Sequence, residues 1–228
     1  MKIAVLTGAG ISAESGINTF RDSGGLWEGH DVMEVASPEG WKKNMELVLD
    51  FYNQRRRQLL EVSPNAAHEA LVTLEKDHEV VIITQNVDDL HERAGSNRVI
   101  HLHGELLKVR SSYDENLVLD WKKDLLPGDY CEYNSQLRPH IVWFGEAVPM
   151  IETAMSLVSV SDIIIIIGTS MQVYPAAGLM QYAPSHSSIY FVDPNPSITE
   201  TQDGNVLVFA EKASTGVPKV IEHINNTL

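Results

Sequence analysis

A short apolar run followed by a glycine-rich loop constrains the fold of this chain more than any other feature. Residues 3–6 read IAVL without polar alternation, which predicts a strand covered on both faces in a parallel sheet. The loop that follows has the spacing G-x-G-x-x-A at Gly8, Gly10 and Ala13, so its backbone can turn tightly and approach a pyrophosphate. We predict a diphosphate site here, at the N-terminus of a helix that begins near Ser12. A turn with a purely steric role is the alternative.

The segment after this loop fits a standard dehydrogenase poorly. That class places an acidic residue at the end of a second strand, about 20 residues beyond the glycines. Glu28, Asp31 and Glu34 are present in this region, but no apolar strand precedes them. Residues 22–37 instead predict a long loop rich in Gly and Asp, with Trp27 inside it.

Composition argues against several classes of partner. The 228 residues carry a formal charge of −14, which disfavours nucleic acid or an anionic membrane as a partner and favours basic substrates. Cys131 is the single cysteine, so we expect neither a disulfide framework nor a cysteine cluster for zinc. No apolar run approaches the roughly 18 residues of a membrane span, and the N-terminus enters the first strand directly, leaving no room for a signal peptide. We expect a cytoplasmic enzyme.

Helical periodicity extends from about Pro38 to Glu61 and places Tyr52 and Arg55 on one face. Two interpretations fit this pair. The tyrosine could pack at the edge of a core beside a solvated arginine of the run 55–57. Alternatively, the phenol and the guanidinium could converge on a carboxylate, because arginine is the natural bidentate partner of that group. The pattern by itself favours the first interpretation.

Polar side chains follow the second predicted core strand. Residues 79–83 form a β-branched run that leads into Gln85, Asn86 and Asp88. This strand end is where open α/β sheets bind ligands. Asp88 could also cap the short helix that follows and that ends at Gly95.

The next predicted strand, residues 98–103, carries two histidines. His101 and His103 are two residues apart, so an extended strand directs both to the same side. A strand histidine is most often a hydrogen-bonded structural residue. At the C-terminal end of a strand, before Gly104 and opposite the phosphate loop, it becomes a candidate general base with a pKa near 6.5. Spacing does not choose between the two.

The remaining patterns predict more strands of the same sheet and the helices that cover it. Five consecutive isoleucines at 163–167 predict a central strand buried on both faces. The other predicted strands are residues 140–144, 189–192 and 206–209, and the other predicted helices are residues 66–76, 89–94, 151–160 and a closing helix with Val217, Val220, Ile221 and Ile224 inward.

Five motifs in order carry a resemblance to a known family. They read GAGISAESGINTFR, TQNVDDLHERAG, HLHGE, RPHIVWFGE and GTSMQVYPAAG. Together they resemble the sirtuins, the NAD-dependent protein lysine deacylases, over essentially the whole chain, and especially the compact bacterial members. The resemblance implies an α/β fold with a Rossmann-like parallel sheet and a smaller inserted domain.

The resemblance also implies where the domains lie. The large NAD-binding domain would comprise residues 1–35, 73–105 and 138–228. The small domain would be formed by a helical insertion, residues 36–72, and a second insertion, residues 106–137.

The second insertion departs from the family pattern. In most sirtuins it is a zinc ribbon held by four cysteines, whereas here Ser111 lies near the first pair and only Cys131 remains near the second. The insertion contains no histidine to replace them, so a four-cysteine site is impossible. We therefore predict a module without metal. It would be held by packing of Trp121, Leu125, Tyr130 and Tyr133.

The resemblance implies NAD as the cofactor. The diphosphate would lie on the loop from Gly8 to Ala13, and the nicotinamide against Ile17, Asn86 and Asp88. Asp193 occupies a position where sirtuins usually have an asparagine beside the adenine ribose, and Asn195 is an alternative for that role. The residues that the resemblance assigns to NAD are Gly8, Ala9, Gly10, Ser12, Ala13, Ser15, Ile17, Phe20, Arg21, Trp27, Gln85, Asn86, Val87, Asp88, Gly168, Thr169, Ser170, Asp193, Pro194, Asn195 and Ala213.

Catalysis is assigned by the same resemblance to His103, as general base on the ribose hydroxyls, and to Asn86. The segment from Val142 to Glu146 would pair with the substrate backbone as an added strand. A Y-x-x-R pair marks sirtuins that accept acidic acyl groups, which reverses the preference stated above for Tyr52 and Arg55, and Ala36 would leave room for such groups. The residues assigned to the substrate are Tyr52, Arg55, Val142, Trp143, Phe144, Gly145 and Glu146.

The expected activity is NAD-dependent removal of acetyl, succinyl and malonyl groups from protein lysines. The products would be nicotinamide, O-acyl-ADP-ribose and free lysine. A protein mono-ADP-ribosyltransferase is the alternative, and a non-catalytic NAD sensor is disfavoured because His103 and Asn86 are both present. We expect a monomer whose partners are acylated lysine side chains.

Overall fold

A six-stranded parallel sheet forms the centre of the protein in a computed structural model, which describes residues 1–18, 26–27, 29–171, 173–197 and 205–227. Its strand order is β11-β10-β9-β1-β4-β5. The strands within these ranges are β1 (Lys2–Thr7), β2 (Leu26–Trp27), β3 (His30–Asp31), β4 (Glu79–Thr84), β5 (Val99–His101), β6 (Gly104–Ser111), β7 (Val118–Asp120), β8 (Leu137–Ile141), β9 (Ile163–Ile167), β10 (Ser188–Val192) and β11 (Val206–Phe209).

Helices cover both faces of this sheet. The α-helices of the described residues are α1 (Val32–Val35), α2 (Pro38–Lys43), α3 (Met45–Glu61), α4 (Ala66–Leu74), α5 (Leu90–Ala94), α6 (Ile151–Val158) and α7 (Ala213–Thr227). Helices α4 and α7 pack on one face, and α6 packs on the other together with a 3₁₀ helix, Ala176–Tyr182. Among the described residues, no helix has both the length and the apolar character needed to cross a membrane.

The sequence patterns predicted this core well. All five isoleucines of β9 are buried between β1 and β10, as a strand covered on both faces requires. The inner face predicted for the closing helix is also confirmed, because Val217, Val220, Ile221 and Ile224 of α7 are buried against the sheet.

A separate antiparallel sheet, in the order β7-β6-β8, packs against α3. Its small core contains Leu125, which is fully buried, and Trp121 packs at the edge of this core. The prediction that Tyr130 and Tyr133 hold this module was wrong, because their exposed fractions are 60% and 55%. Leu49 of α3 is part of this core, so a side chain from the helical insertion takes the place expected for the tyrosines.

Ser111 and Cys131, which lie near the positions of the family's two cysteine pairs, are in contact in this module. Cys131 is buried, and its Sγ donates to Oγ of Ser111 over 3.2 Å. Within the described ranges, no group of three or more His, Cys, Asp or Glu side chains could hold a metal ion. The absence of zinc and the division of the chain into two domains stay predictions.

Three local predictions need correction. The loop after β1 continues as two 3₁₀ turns, Ala9–Ile11 and Ala13–Ser15, and not as an α-helix, because Gly16 turns the chain with a φ of +100°. Part of the predicted loop 22–37 is ordered as β2, β3 and α1, and Asp31 caps α1 by accepting from Met33 N. The strand predicted at residues 140–144 as part of the main sheet ends at Ile141, and it belongs instead to the separate sheet, where it pairs with β6.

A buried pair of histidines on α4 and α5 lies beside the main sheet. The ring centroids of His68 and His91 are 4.9 Å apart, and Nδ1 of His68 accepts from the main-chain N of Asn65 in the capping box that starts α4. Burial lowers the pKa of His68 to about 4 and lowers the pKa of His91 well below its usual value. Both rings are therefore neutral at pH 7.

The free energy of unfolding is expected to fall as the pH drops from about 6.5 towards 4. In this range the unfolded chain binds protons on these histidines that the folded chain does not bind, so stability is lost as the pH falls. For His68 alone the loss is about 3 kcal/mol, at roughly 1.4 kcal/mol per pK unit. Urea denaturation followed by circular dichroism at pH 7, 6, 5 and 4.5 measures it.

His68→Gln is the matched control for this prediction. Glutamine is a usual capping-box residue at this position of a helix, and it does not titrate. The variant should lose less stability between pH 7 and pH 4.5 than the wild type. Identical pH dependence in the two proteins would show that the His68 site contributes nothing to acid sensitivity.

Candidate active site

A cavity of about 700 Å³ opens at the carboxyl edge of the main sheet, where β1, β4 and β9 end. It extends between this edge and α3. Most of the residues that the sequence singled out line it: Gly8, Ala9, Gly10, Ser12, Ala13, Ile17, Trp27, Tyr52, Arg55, Gln85, Asn86, Val87, Asp88, His103, Val142, Trp143, Phe144, Gly145, Glu146, Gly168, Thr169, Ser170, Asp193, Pro194, Asn195 and Ala213.

Of the predicted cofactor residues that the structure describes, Ser15 is not among the lining residues. Its hydroxyl instead accepts a hydrogen bond from Nδ2 of Asn65, the N-cap residue of α4, over 2.9 Å. Phe20 and Arg21 lie outside the described residues. The cavity also contains residues that no sequence pattern indicated, among them Glu14, Gln58, Leu106, Tyr174 and Lys212.

Two glycine turns meet at the floor of the cavity. The N–H of Gly10 donates to the carbonyl oxygen of Gly168 over 2.8 Å, so the loop after β1 contacts the loop after β9 directly. A Cβ atom on Gly10 would lie 2.5 Å from Cα of Gly168, and Gly168 itself has a φ of +59°. Only glycine at both positions permits this backbone contact, which leaves the exposed side of the loop open to a ligand phosphate.

Gly10→Ala is therefore expected to force the two loops apart. Overpacking of this kind costs about 1–3 kcal/mol and moves the backbone that would hold the diphosphate. We expect a lower melting temperature and a weakening of NAD binding by about 10-fold or more, measured by differential scanning fluorimetry and isothermal titration calorimetry.

Gly178→Ala provides the matched control. A Cβ atom at Gly178 would meet only the Tyr174 ring, at an ordinary contact distance of 3.8 Å. This variant should bind NAD as the wild type does. Equal NAD affinity in Gly10→Ala would contradict the role given to the contact between the glycine loops.

A buried polar network forms the wall of the cavity beside β4. Nδ2 of Asn86 donates to the carbonyl oxygen of Gly8 over 3.1 Å and to Oγ of Ser12 over 3.2 Å. Oγ of Ser12 donates to Oδ2 of Asp88 over 2.9 Å. Burial raises the pKa of Asp88 above its usual value. These bonds hold the amide and the carboxyl group in fixed positions next to the glycine loop.

Asp88 also accepts a hydrogen bond at the start of α5, although the N-cap residue of this helix is its neighbour Asp89. Oδ1 of Asp88 accepts from the main-chain N of Leu90, the first residue of α5, over 3.2 Å. Gly95 ends this helix with a φ of +110°. The same carboxyl group therefore lines the cavity and accepts from the first turn of α5, whose N-cap residue is Asp89, and a role of Asp88 in binding a ligand stays a prediction.

The structure distinguishes the two histidines that spacing could not. His103 lines the cavity, and its Nδ1 lies 3.0 Å from the carbonyl oxygen of Gln85. Because a carbonyl oxygen only accepts, Nδ1 carries the hydrogen and Nε2 is the basic nitrogen. Burial lowers the pKa of His103 below its usual value, so the ring is neutral at pH 7 and suited to accept a proton. His101 is not among the cavity residues.

Tyr52 and Arg55 line the same cavity from α3, together with Ala36. The Tyr52 hydroxyl accepts from Nε1 of Trp143 over 3.0 Å, so its own hydrogen can be donated to a ligand. Burial raises the pKa of Tyr52 well above its usual value, and the phenol stays protonated. The Arg55 guanidinium lies 5.0 Å from the Phe51 ring centroid.

The segment after β8 turns along the rim of the cavity. The main-chain N of Glu146 donates to the carbonyl oxygen of Trp143 over 3.0 Å, and Gly145 has a φ of +90°. The main-chain N of Val142 donates to the carbonyl oxygen of His103, and that of Phe144 to the carbonyl oxygen of Ala36. This turn explains why the strand predicted through Phe144 stops early.

Two arginines that sequence reasoning missed hold this segment. Glu146 accepts from Arg138 over 2.7 Å, from Arg110 over 3.1 Å and from the main-chain N of Trp143 over 2.8 Å. Burial raises the pKa of Glu146, but the hydrogen bond from Arg138 lowers it, and overall the pKa of Glu146 lies below its usual value. The Arg138 guanidinium also stacks on the Trp143 ring, 3.3 Å from its centroid. The network fixes the indole that binds Tyr52.

The adenosine end predicted for the cofactor lies beyond Gly168. Asp193 is buried at the end of β10, and its Oδ1 accepts from the main-chain N of Asn195 over 2.8 Å. Thr169 accepts from Nε2 of Gln85 over 3.0 Å, which joins this end to the loop after β4. Asp193 and Asn195 both line the cavity, so the structure does not choose between them.

A parallel sheet with paired glycine turns and a cavity at its carboxyl edge is typical of α/β proteins that bind dinucleotides. Comparison with known proteins identifies the family. The model of the Sir2 family matches residues 8–175, and the chain therefore belongs to the Sir2 family. The resemblance to the sirtuins inferred from the five motifs is confirmed.

A protein of Helicobacter pylori strain 26695, described as an NAD-dependent protein deacylase, is 67% identical over 192 residues, which cover 84% of each chain. Among solved structures, a Sir2 homologue in complex with NAD has a TM-score of 0.86 at 38% identity, covering 99% of this chain and 90% of the other. A Sir2 complex with an inhibitor, 2′-O-acetyl-ADP-ribose and a deacetylated p53 peptide has a TM-score of 0.78 at 30% identity, covering 98% and 94%.

Proposed function

We propose that this protein is an NAD-dependent protein lysine deacylase that removes acetyl groups and also acidic acyl groups such as succinyl and malonyl. One observation carries the proposal. The glycine loops that meet at Gly10 and Gly168, the neutral His103 ring and the Tyr52–Arg55 pair all line a single cavity. The relatives of this protein support the same activity, because the Helicobacter pylori protein is described as an NAD-dependent protein deacylase.

The residues present fit NAD as the cofactor. The close backbone contact between Gly10 and Gly168 leaves a cradle without side chains, as a diphosphate requires. The nicotinamide would lie against Ile17, Asn86 and Asp88, which line the cavity. The similarity to a Sir2 homologue solved in complex with NAD supports NAD as the ligand. NAD, when bound, supplies an ADP-ribosyl group that takes up the acyl group and releases nicotinamide.

His103 would act as the general base. Gln85 fixes the tautomer, so Nε2 holds the lone pair that would take a proton from a ribose hydroxyl. Nδ1 keeps its hydrogen bond to the same carbonyl oxygen throughout, which stabilises the ring orientation as the imidazolium forms. Asn86, whose side chain is held by Gly8 and Ser12, would orient the nicotinamide, which is the leaving group.

Tyr52 and Arg55 would bind the carboxylate of an acidic acyl group. The phenol hydrogen is available because Trp143 already occupies an acceptor position of the hydroxyl oxygen. A guanidinium and a phenol provide charge-assisted bonds to a carboxylate, and Ala36 at the same wall takes up little space. An acetyl group is smaller and carries no carboxylate that could accept from these two donors.

The substrate would be an acylated lysine in a protein or peptide. The segment 142–146 lines the cavity and would guide the peptide backbone, and the Sir2 complex with a deacetylated p53 peptide supports a peptide substrate. The formal charge of −14 favours basic protein segments over acidic ones.

Product analysis tests the proposed function. The purified protein is incubated with NAD and an acylated peptide, and the products are separated by liquid chromatography and mass spectrometry. A deacylase forms equal amounts of free-lysine peptide, nicotinamide and O-acyl-ADP-ribose. ADP-ribose attached covalently to the protein or the peptide, without O-acyl-ADP-ribose, would replace the proposal with a mono-ADP-ribosyltransferase.

A further inference from the structure

His101 differs from His103 in the partners of its ring nitrogens. Its Nδ1 lies 3.2 Å from the main-chain oxygen of Asn86, and its Nε2 lies 2.7 Å from Oε1 of Glu92 on α5. A carbonyl oxygen and an ionised carboxylate accept hydrogen bonds and donate none. Both ring nitrogens must therefore carry hydrogens for the two bonds to exist together. This geometry makes His101 an imidazolium.

The charges around His101 agree with this state. Burial lowers the pKa of His101, but the hydrogen bond that His101 donates to Glu92 and the charges of Glu92 and Glu105 raise the pKa overall. Burial raises the pKa of Glu92, but the hydrogen bond and the charge of His101 lower the pKa of Glu92 overall. The titratable groups that face His101 or its carboxylate partners are Asp88 in the preceding loop, His91 and Glu92 on α5, and Glu105 and Lys108 on β6.

The contact between His101 and Asn86 reaches the cavity through the main chain. The Asn86 side chain is held by Gly8 and Ser12, whereas its main-chain oxygen is held by His101. His103 holds the preceding carbonyl oxygen, that of Gln85. His101 at the end of β5 and His103 two residues beyond that end therefore fix two consecutive peptide units of the loop that carries Asn86 and leads to Asp88.

We propose that His101 is a cationic positioning residue, which fixes the Asn86 main chain and so keeps the Asn86–Asp88 wall of the cavity in its active arrangement. The proposal rests on the proposed function, because it gives this wall a role in turnover. Loss of the proton from His101 removes one of its two donors. If Nδ1 loses its hydrogen, the bond to the Asn86 oxygen breaks. If Nε2 loses its hydrogen, its lone pair faces the Glu92 carboxylate.

The pH dependence of activity then has two limbs of different origin. The acid limb comes from His103, which must be neutral to accept a proton. The alkaline limb comes from His101, which must be protonated to hold Asn86. Burial lowers the pKa of His103, whereas Glu92 raises the pKa of His101, so the two pKa values bound an active range between them.

Glu92→Gln tests this proposal. The variant keeps the size of the side chain but removes the carboxylate that favours the imidazolium, so the His101 pKa should fall by about 1 unit or more. Two readouts are needed from pH 5.5 to pH 9.5: the kcat/KM profile for peptide, and the imidazole ¹⁵N chemical shifts of His101. We expect the alkaline limb and the His101 titration to move together to lower pH, with the acid limb unchanged.

His101→Gln provides the second variant, since glutamine keeps a donor but cannot titrate. It should lower kcat by about 10-fold, the effect of one lost hydrogen bond to a fixed group, and should abolish the alkaline limb. An unchanged alkaline limb in both variants would overturn the proposal. So would a wild-type His101 resonance that titrates below pH 6.5.

Failure of the proposed function would look different. If the wild type binds NAD but deacylates no peptide, the deacylase proposal fails, whereas the ¹⁵N titration still reports the charge of His101. In that case the pH dependence of NAD affinity replaces the kcat/KM profile. An NAD affinity that does not change as His101 titrates would overturn the positioning role.

Discussion

Replacing His103 with alanine is expected to lower kcat for deacylation by about 10²- to 10⁴-fold, which is the usual contribution of a positioned general base. The imidazole is the neutral base of the cavity, with its tautomer fixed by the Gln85 carbonyl oxygen. The side chain is not part of the apolar core, so the variant should stay folded and should still bind NAD. Steady-state kinetics and NAD titration of the same preparation measure both effects.

His186→Ala is the matched control for this variant. His186 is exposed and lies outside the residues that line the cavity, so its loss should leave kcat and KM unchanged. If His103→Ala turns over at a rate near that of the wild type, the assignment of the general base is wrong. If this variant is unfolded, its tryptophan fluorescence and circular dichroism spectra will differ from those of the wild type.

Arg55→Met should separate acidic acyl substrates from acetyl-lysine. Methionine keeps much of the length of the side chain but removes the guanidinium, which would make charge-assisted bonds only to a carboxylate. The kcat/KM for succinyl-lysine should fall by about 10- to 100-fold, equivalent to roughly 1.5–3 kcal/mol, while the value for acetyl-lysine changes little. The ratio of the two kcat/KM values on one peptide sequence is the quantity to measure.

Arg57→Met is the control on the same helix. Arg57 is more than half exposed, pairs with Asp124 over 2.7 Å and does not line the cavity. This variant should preserve both activities. An equal loss of succinyl and acetyl turnover in Arg55→Met would contradict the carboxylate role of Arg55, because a general disturbance of the cavity would affect both substrates.

The three consecutive arginines show where sequence reasoning stops. Helical periodicity correctly placed Arg55 on the face of Tyr52, and family resemblance made that pair a candidate site. No pattern in the run itself distinguishes Arg56, which is buried and donates to Asn53 and to the Leu106 carbonyl oxygen, from Arg57 on the surface. Their different environments arise from contacts with residues 50 and 67 positions further along the chain.

The main sheet could be predicted because each strand has a local signal. The apolar runs of β1 and β9 are continuous, and the polar residues that line the cavity follow directly after strand ends. The glycines of the phosphate loop could be predicted for the same reason. Here the structure adds the direct contact of Gly10 with Gly168, two residues 158 positions apart.

The Glu146 network could not be predicted, because it depends on strand register. Arg110 and Arg138 are opposite each other in the β6–β8 ladder, and two adjacent buried guanidinium groups require a carboxylate near both. Glu146 provides it, but nothing local in the sequence reports that pairing. The prediction of how the small module packs was wrong for a similar reason, because Leu49 reaches its core from α3, which is distant in the sequence.

The most direct test of the central claim uses one peptide sequence in three forms, with acetyl-lysine, succinyl-lysine or unmodified lysine, each incubated with purified protein in the presence and absence of NAD. Mass spectrometry follows the mass of each peptide. The proposed function predicts removal of both acyl groups, and only when NAD is present. Removal of acetyl alone would contradict the roles of Tyr52 and Arg55, and an intact acyl group on both peptides, with NAD bound, would contradict the deacylase itself.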